Sequence, residues 1–163
     1  MLYSKHRLAA TGVLSGTRFR MATARLELAG DGRTAELDVT NVHTRAPVDG
    51  GLPQWRRELA LLARGASTEG NGLLLGDFNA SYDHLEFRRL VTPSPGGVGL
   101  VDVGTAQGAR LVPTWPQDLP LPGITLDHLV TSVSVLSAGY SVHRVAGTDH
   151  AAILATLSVP ARR

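Results

Sequence analysis

A chain of 163 residues with 43% hydrophobic composition is long enough to bury one core, and it reads as a single domain, residues 1–163, without a run apolar enough to span a membrane. The formal net charge is +2, all but Lys5 of the 16 basic residues are arginine, and no basic run stands out, so charge alone does not argue for nucleic acid. The lack of cysteine excludes disulfides, thiolate metal sites and cysteine nucleophiles without deciding the compartment.

MLYSKHRLAA lacks the apolar centre of a signal peptide, so the chain as written is expected to be soluble, its localisation unknown. The 18 glycines and 9 prolines predict many turns around a compact α/β or mostly β body. Residues 18–28 (RFRMATARLEL) alternate polar and apolar, Gly30-Asp31-Gly32 supplies a turn, and TAELDVTNV alternates again, which predicts a β-hairpin. Its second strand delivers His43 at its end. Pro47 and Gly50-Gly51 mark a loop. From Pro53, Trp55, Leu59, Leu62 and Ala63 recur at helical spacing, and the helix ends near Gly65.

Gly72-Leu73-Leu74-Leu75-Gly76 is a short unbroken apolar run, which predicts a buried strand with Asp77 where it leaves the core. Asp83 is placed to cap a short helix with Leu85, Phe87 and Leu90 as its apolar contacts, closed by TPSPGGVG. The arginine pairs 56–57, 88–89 and 162–163 read as solvated faces or tail. Five short strands follow: GLVDVG, RLVPTW, ITLDHLVTS, VSVLSAGYSVHRV and AAILATLSV. Strands and helices in this order predict sheet inside and helices outside.

Three stretches share one design, in which a strand ends and polar residues follow at once: Asn41-Val42-His43-Thr44, Gly76-Asp77-Phe78-Asn79 and Thr148-Asp149-His150. Each alone is explained by a turn former or a cap. Together they predict a polar cluster. A fourth carboxylate, Asp127, lies inside the apolar run ITLDHLV, where it needs a partner, and His150 is chemically suited to be one.

The series NVHT, LLLGDFNA, ITLDHLV and GTDHAAI, in that order and over about Leu2 to Leu157, resembles the endonuclease/exonuclease/phosphatase superfamily of deoxyribonuclease I-like proteins, which includes nucleases, sphingomyelinases and inositol-phosphate phosphatases. DHLEFRRL and Thr114-Trp115-Pro116 look most like bacterial members of actinobacterial type, many of which carry membrane helices ahead of this domain. The resemblance implies an α/β (α+β) fold, a β-sandwich flanked by helices of four-layer α/β/β/α type. It also implies a metal-dependent phosphoesterase. Asp77 would activate the attacking water, Asn79 and His43 would bond phosphate oxygens, and His150, oriented by Asp127, would stabilise the transition state. Asp149 would sit beside Mg²⁺ or Mn²⁺ as ligand or behind a ligand.

The sequence departs from that family's pattern in lacking its early metal-binding asparagine and glutamate. Glu27, Glu36, Glu58, Glu69 and Glu86 are expected to lie in the wrong places to replace them. The resemblance therefore implies an N-terminally truncated domain with weak metal affinity, whose uncovered sheet invites a homo-oligomer. Two functions are expected from it: hydrolysis of a phosphate ester, with nucleic acid, a lipid phosphate or a small phosphomonoester as substrate, or a catalytically deficient binding or assembly domain that keeps a phosphate pocket.

Overall fold

The structure is a computed structural model that describes residues 1–30, 32–66, 70–92, 99–120 and 122–161. Among them the chain forms β1 (Arg7–Leu14), β2 (Met21–Gly30), β3 (Arg33–His43), α1 (Leu52–Gly65), β4 (Gly72–Asp77) and α2 (Leu85–Val91). Then come β5 (Leu100–Asp102), α3 (Val103–Ala106), β6 (Asp127–Ser132), β7 (Leu136–His143) and β8 (Ala152–Ser158). The first six strands make one sheet in the order β1-β2-β3-β4-β6-β5, and β7 and β8 pair as a second.

Strand alternation sends side chains to opposite faces of the six-stranded sheet. One set, with Met21, Val42, Leu74 and Val130, packs under Trp55, Leu59 and Leu62 of α1 and Phe87 and Leu90 of α2. Full burial of each such side chain stabilises the fold by about 1.5–3 kcal/mol. The other set, with Leu37, Val39, Leu73 and Leu129, meets Tyr140, Ala155 and Leu157 of the second sheet. The described residues thus form three of the layers of an α/β/β/α sandwich. The outward side of the second sheet is in solvent, with Leu136 and Leu154 exposed. No described helix is long and apolar enough to cross a membrane.

The hairpin, the helix from Pro53 and the Leu73–Leu75 strand form as expected, and several details differ. β1 has no burial alternation to announce it. It is held by antiparallel pairing to β2, with an irregularity between Ala9 and Gly12. RLVPTW makes no strand: only an isolated bridge, Trp115 to Ile124, forms there, around a proline that cannot donate to a ladder. GLVDVG pairs over three residues before Asp102 turns the chain, its carboxylate accepting from Thr105 N as the cap of α3. The cap position of α2 is His84, not Asp83, and its ring accepts from Ser81 N at 2.9 Å. Leu85 and Ala63 are exposed, while Glu58 is buried among the apolar residues of α1. Asp31 in the hairpin turn, residues 93–98 of the closing loop, Glu69 and the arginines 162–163 lie outside the described residues.

Candidate active site

Register builds the site. β3 pairs parallel to β4 with His43 opposite Asp77, and β4 pairs antiparallel to β6 with Asp77 opposite Asp127. Residues in one register row point to the same face, and the parity that sends Val39, Leu73, Leu75 and Leu129 between the sheets sends His43, Asp77 and Asp127 to the rim of that same space. His43 Nε2 lies 3.9 Å from Asp77 Oδ2. The next residue along β6, His128, faces the helices instead, so the Asp127-His128 dipeptide is split between the two faces.

Gly76 makes the row possible. Its φ is 131°, and a Cβ there would lie 2.2 Å from the carbonyl oxygen of Val42, so only glycine lets β4 approach β3 this closely. Asn79 follows at φ 45°, a left-handed conformation that asparagine tolerates. Its backbone N–H donates to Asp77 Oδ1 at 2.7 Å, and its amide donates to Asp77 Oδ2 and to Thr44 O, each at 2.9 Å. The Asp77 carboxylate is therefore fixed through both oxygens. Buried donors hold the same turn from beneath: Trp55 Nε1 and Thr44 Oγ1 on Phe78 O, and His128 Nε2 on Ala80 O.

His150 enters from the second sheet. Thr148-Asp149-His150 does not follow a strand end as expected; it leads into β8 after a loop from β7. His150 Nδ1 meets Asp127 Oδ2 at 2.7 Å, the partnership the apolar context of Asp127 called for. A carboxylate only accepts, so this bond places the proton on Nδ1. Thr114, fully buried, accepts the backbone N–H groups of Leu126 and Asp127 at 3.0 Å each, and its carbonyl accepts from Ala151 N, which ties the two sheets together at the site.

Asp77, Asn79, Asp127, His150 and His43 thus stand at one rim. Asp149 is bonded elsewhere, its Oδ2 accepting from Trp115 Nε1 at 2.9 Å, although its charge still reaches His150. Three supports had no signal in the sequence. Phe19, from the loop before β2, stacks on His43 with ring centroids 4.2 Å apart. The Trp115 ring lies 6.4 Å from that of His150. Asp102 and His128 form a second carboxylate–imidazole pair, buried, at 3.3 Å. Each joins residues far apart in the chain, which local periodicity does not encode.

Burial, the largest influence, holds the Asp77 carboxyl above its ordinary range; the Asn79 N–H works against this and the Asp127 charge adds to it. For His150, burial works to lower the imidazole, but the hydrogen bond and charge of Asp127 outweigh it and hold it above its ordinary value. The Trp115 donor holds Asp149 below the usual carboxylate range.

The expectation of Mg²⁺ or Mn²⁺ is tested by these donors. Hard cations need several converging oxygens. Here Asp77 is tied to Asn79, Asp127 to His150 and Asp149 to Trp115. Among the described residues no group of three His, Asp or Glu side chains converges as a cation site. The described residues do not by themselves complete a metal centre.

Comparison with solved structures shows the same fold at low identity. An endonuclease/exonuclease/phosphatase from Beutenbergia cavernae matches at a TM-score of 0.64 and 16% identity, covering 96% of this chain and 46% of the other. The catalytic domain of Xenopus laevis APE2 matches at 0.67 and 18%, covering 87% and 56%. A mannosyl-6-phosphatase from Bacteroides thetaiotaomicron matches at 0.66 and 15%, covering 94% and 67%. The chain spans about half the length of the first two. No curated protein matches it. The model of the Endonuclease/Exonuclease/phosphatase family matches residues 1–150, nearly the whole chain, and the chain belongs to that family.

Proposed function

We propose that this rim binds a phosphate ester and supports its hydrolysis by water. The observation that carries it is the single register row His43–Asp77–Asp127, completed by His150 at 2.7 Å from Asp127. Membership of a family of nucleases and phosphatases supports the reaction class. Asp77, fixed by Asn79 and held above its ordinary range, is the base that takes a proton from the attacking water. A new P–O bond forms as the bond to the departing oxygen breaks; that oxygen takes up a proton from solvent, and Asp77 returns its proton to solvent. His150, with Nδ1 on Asp127, presents its other nitrogen to a non-bridging oxygen, where its raised proton affinity keeps it a donor. His43, backed by Phe19, is the second imidazole donor. The Asn79 amide shares its hydrogens between Thr44 and Asp77, so its contact to a phosphate oxygen would replace one of these bonds. Asp149 is the proposed ligand for Mg²⁺ or Mn²⁺, in a donor set that the described side chains do not complete.

That incomplete donor set favours a second reading, a phosphate-binding domain that does not turn over. The name of the mannosyl-6-phosphatase neighbour supports a phosphate ester and says nothing about the organic part of the substrate here. Hydrolysis of bis-p-nitrophenyl phosphate, with and without Mg²⁺ or Mn²⁺, tests the pair. Turnover abolished by Asp77→Ala supports the hydrolase. A folded protein that binds phosphate and turns nothing over leaves only the binding domain.

A further inference from the structure

Arg18, Arg45 and Arg57 are scattered through the sequence, and none belongs to the polar row. The structure gathers them. Arg18 comes from the loop between β1 and β2, Arg45 from the segment after β3, and Arg57 from the second turn of α1; together with Gly16, Thr17, Gly50, Pro53 and Gln54 they line one hollow of about 540 Å³. The absence of a basic run in the sequence is thus no guide to the charge of this surface.

None of the three guanidiniums pairs with a carboxylate among the described residues. The other arginine pairs serve Glu27, Glu36, Asp38, Glu86 and Asp83. Arg57 donates one bond to Gln54 Oε1 at 2.6 Å. Three like charges around one hollow repel one another, and a bound anion relieves that repulsion. Guanidinium forks suit phosphate oxygens in particular.

The hollow is held in place. Glu58, fully buried, accepts the backbone N–H of Arg18, the backbone N–H of Arg45 at 2.7 Å and the amide of Gln54 at 2.8 Å. One carboxylate therefore fixes from behind the two loops whose arginines line the hollow. It also sets the hollow beside the rim. Arg18 precedes Phe19, whose ring stacks on His43, and Arg45 lies two residues beyond His43, a length of chain that spans at most about 7 Å.

We propose that Arg18, Arg45 and Arg57 form a subsite for a second phosphate group of the substrate, adjacent to the phosphate held at the row. The proposal rests on the phosphate ester reading above and narrows it to substrates carrying at least two phosphates. That chemistry is shared by a phosphodiester backbone and by a small polyphosphorylated molecule.

The test is calorimetric binding in EDTA, without turnover, of thymidine 5′-monophosphate, of 5′-phosphorylated dithymidylate and of inositol 1,4-bisphosphate. At least one two-phosphate ligand is expected to bind about tenfold or more tighter than the monophosphate, which is about 1.4 kcal/mol. The double variant Arg18→Gln/Arg57→Gln is expected to lose that preference, keep its affinity for the monophosphate and melt as the parent does. The slope of log affinity against log salt should fall by about 1 per arginine removed. A gain confined to dithymidylate assigns the subsite to a phosphodiester backbone, and a gain for the inositol ligand assigns it to a small polyphosphate. Equal affinity for one- and two-phosphate ligands, or a preference that survives in the double variant, overturns the subsite. A protein that hydrolyses bis-p-nitrophenyl phosphate without the preference loses the subsite alone. One that shows the preference and hydrolyses nothing loses the hydrolysis reading alone.

Discussion

Two carboxylate–imidazole pairs stand one residue apart on β6. Asp127 faces the space between the sheets and meets His150 at 2.7 Å, with side chains 15% and 29% exposed; His128 faces the helices and meets Asp102 at 3.3 Å, with side chains 3% and 4% exposed. The residue types are the same and the places differ. An open pair keeps one imidazole nitrogen for a ligand. The sealed pair spends both: His128 Nε2 reaches Ala80 O, so the ring braces the turn that carries Asn79. Side-chain parity, which decides which face a strand residue meets, separates a pair open to the candidate site from a pair sealed in the core.

The largest expected effect falls on the open side. Asp77→Ala or His150→Ala should lower the hydrolysis rate by about 10²- to 10⁴-fold, the usual scale for a positioned acid or base. The cost in stability to His150→Ala should stay within about 1 kcal/mol, because the pair is partly in water. Steady-state kinetics beside urea unfolding would show this split. Loss of folding in step with activity would erase the distinction between the pairs.

On the sealed side the order reverses. His128→Ala leaves the Asp102 carboxylate buried without its partner, and urea unfolding should register a loss of about 3–5 kcal/mol. A loss below about 1 kcal/mol would mean that Asp102 is hydrated or neutral in the folded protein and that the two environments are alike.

Opposite pH windows sharpen the comparison further. Burial works to raise Asp102, but His128 and Thr105 outweigh it and hold the carboxyl below its ordinary 3.8. Its contribution is therefore present above that value and lost as pH falls through the depressed one. His150 is raised above its ordinary 6.5, so its contribution is full below that value and lost as pH rises through the raised one. Unfolding free energy against pH should lose its alkaline fall in His150→Ala and its acid fall in Asp102→Asn. The pH–rate profile carries the same logic. Asp127 raises both Asp77 and His150, so Asp127→Asn should move both limbs to lower pH. An unmoved profile would mean that other groups set the limbs.

The smallest expected effect is at the rim. Trp115→Phe removes the indole donor of Asp149, whose carboxyl should return toward its ordinary value as followed by NMR titration. An unchanged titration would mean that the indole bond is not formed in solution.

The legible parts of the molecule are those with a local signal. The hairpin showed as alternation, α1 as spacing of Trp55, Leu59 and Leu62, and β4 as an apolar run ending in glycine; burial has a fixed period along one element, so sequence alone determined them. Asp77 and His43 showed as polar residues at strand ends, and the chemical need of Asp127 for a partner named His150, although His150 lies in the loop before β8 and not after a strand end. β1 was hidden because its pairing to β2, not burial, makes it a strand. Only the tertiary structure decided which of Asp127 and His128 faces the site, that Trp115 takes up Asp149, that Phe19 backs His43, and that three distant arginines share one hollow. Those facts depend on register between strands and on loops brought together by the packing of the whole core, and no window of the sequence contains both partners.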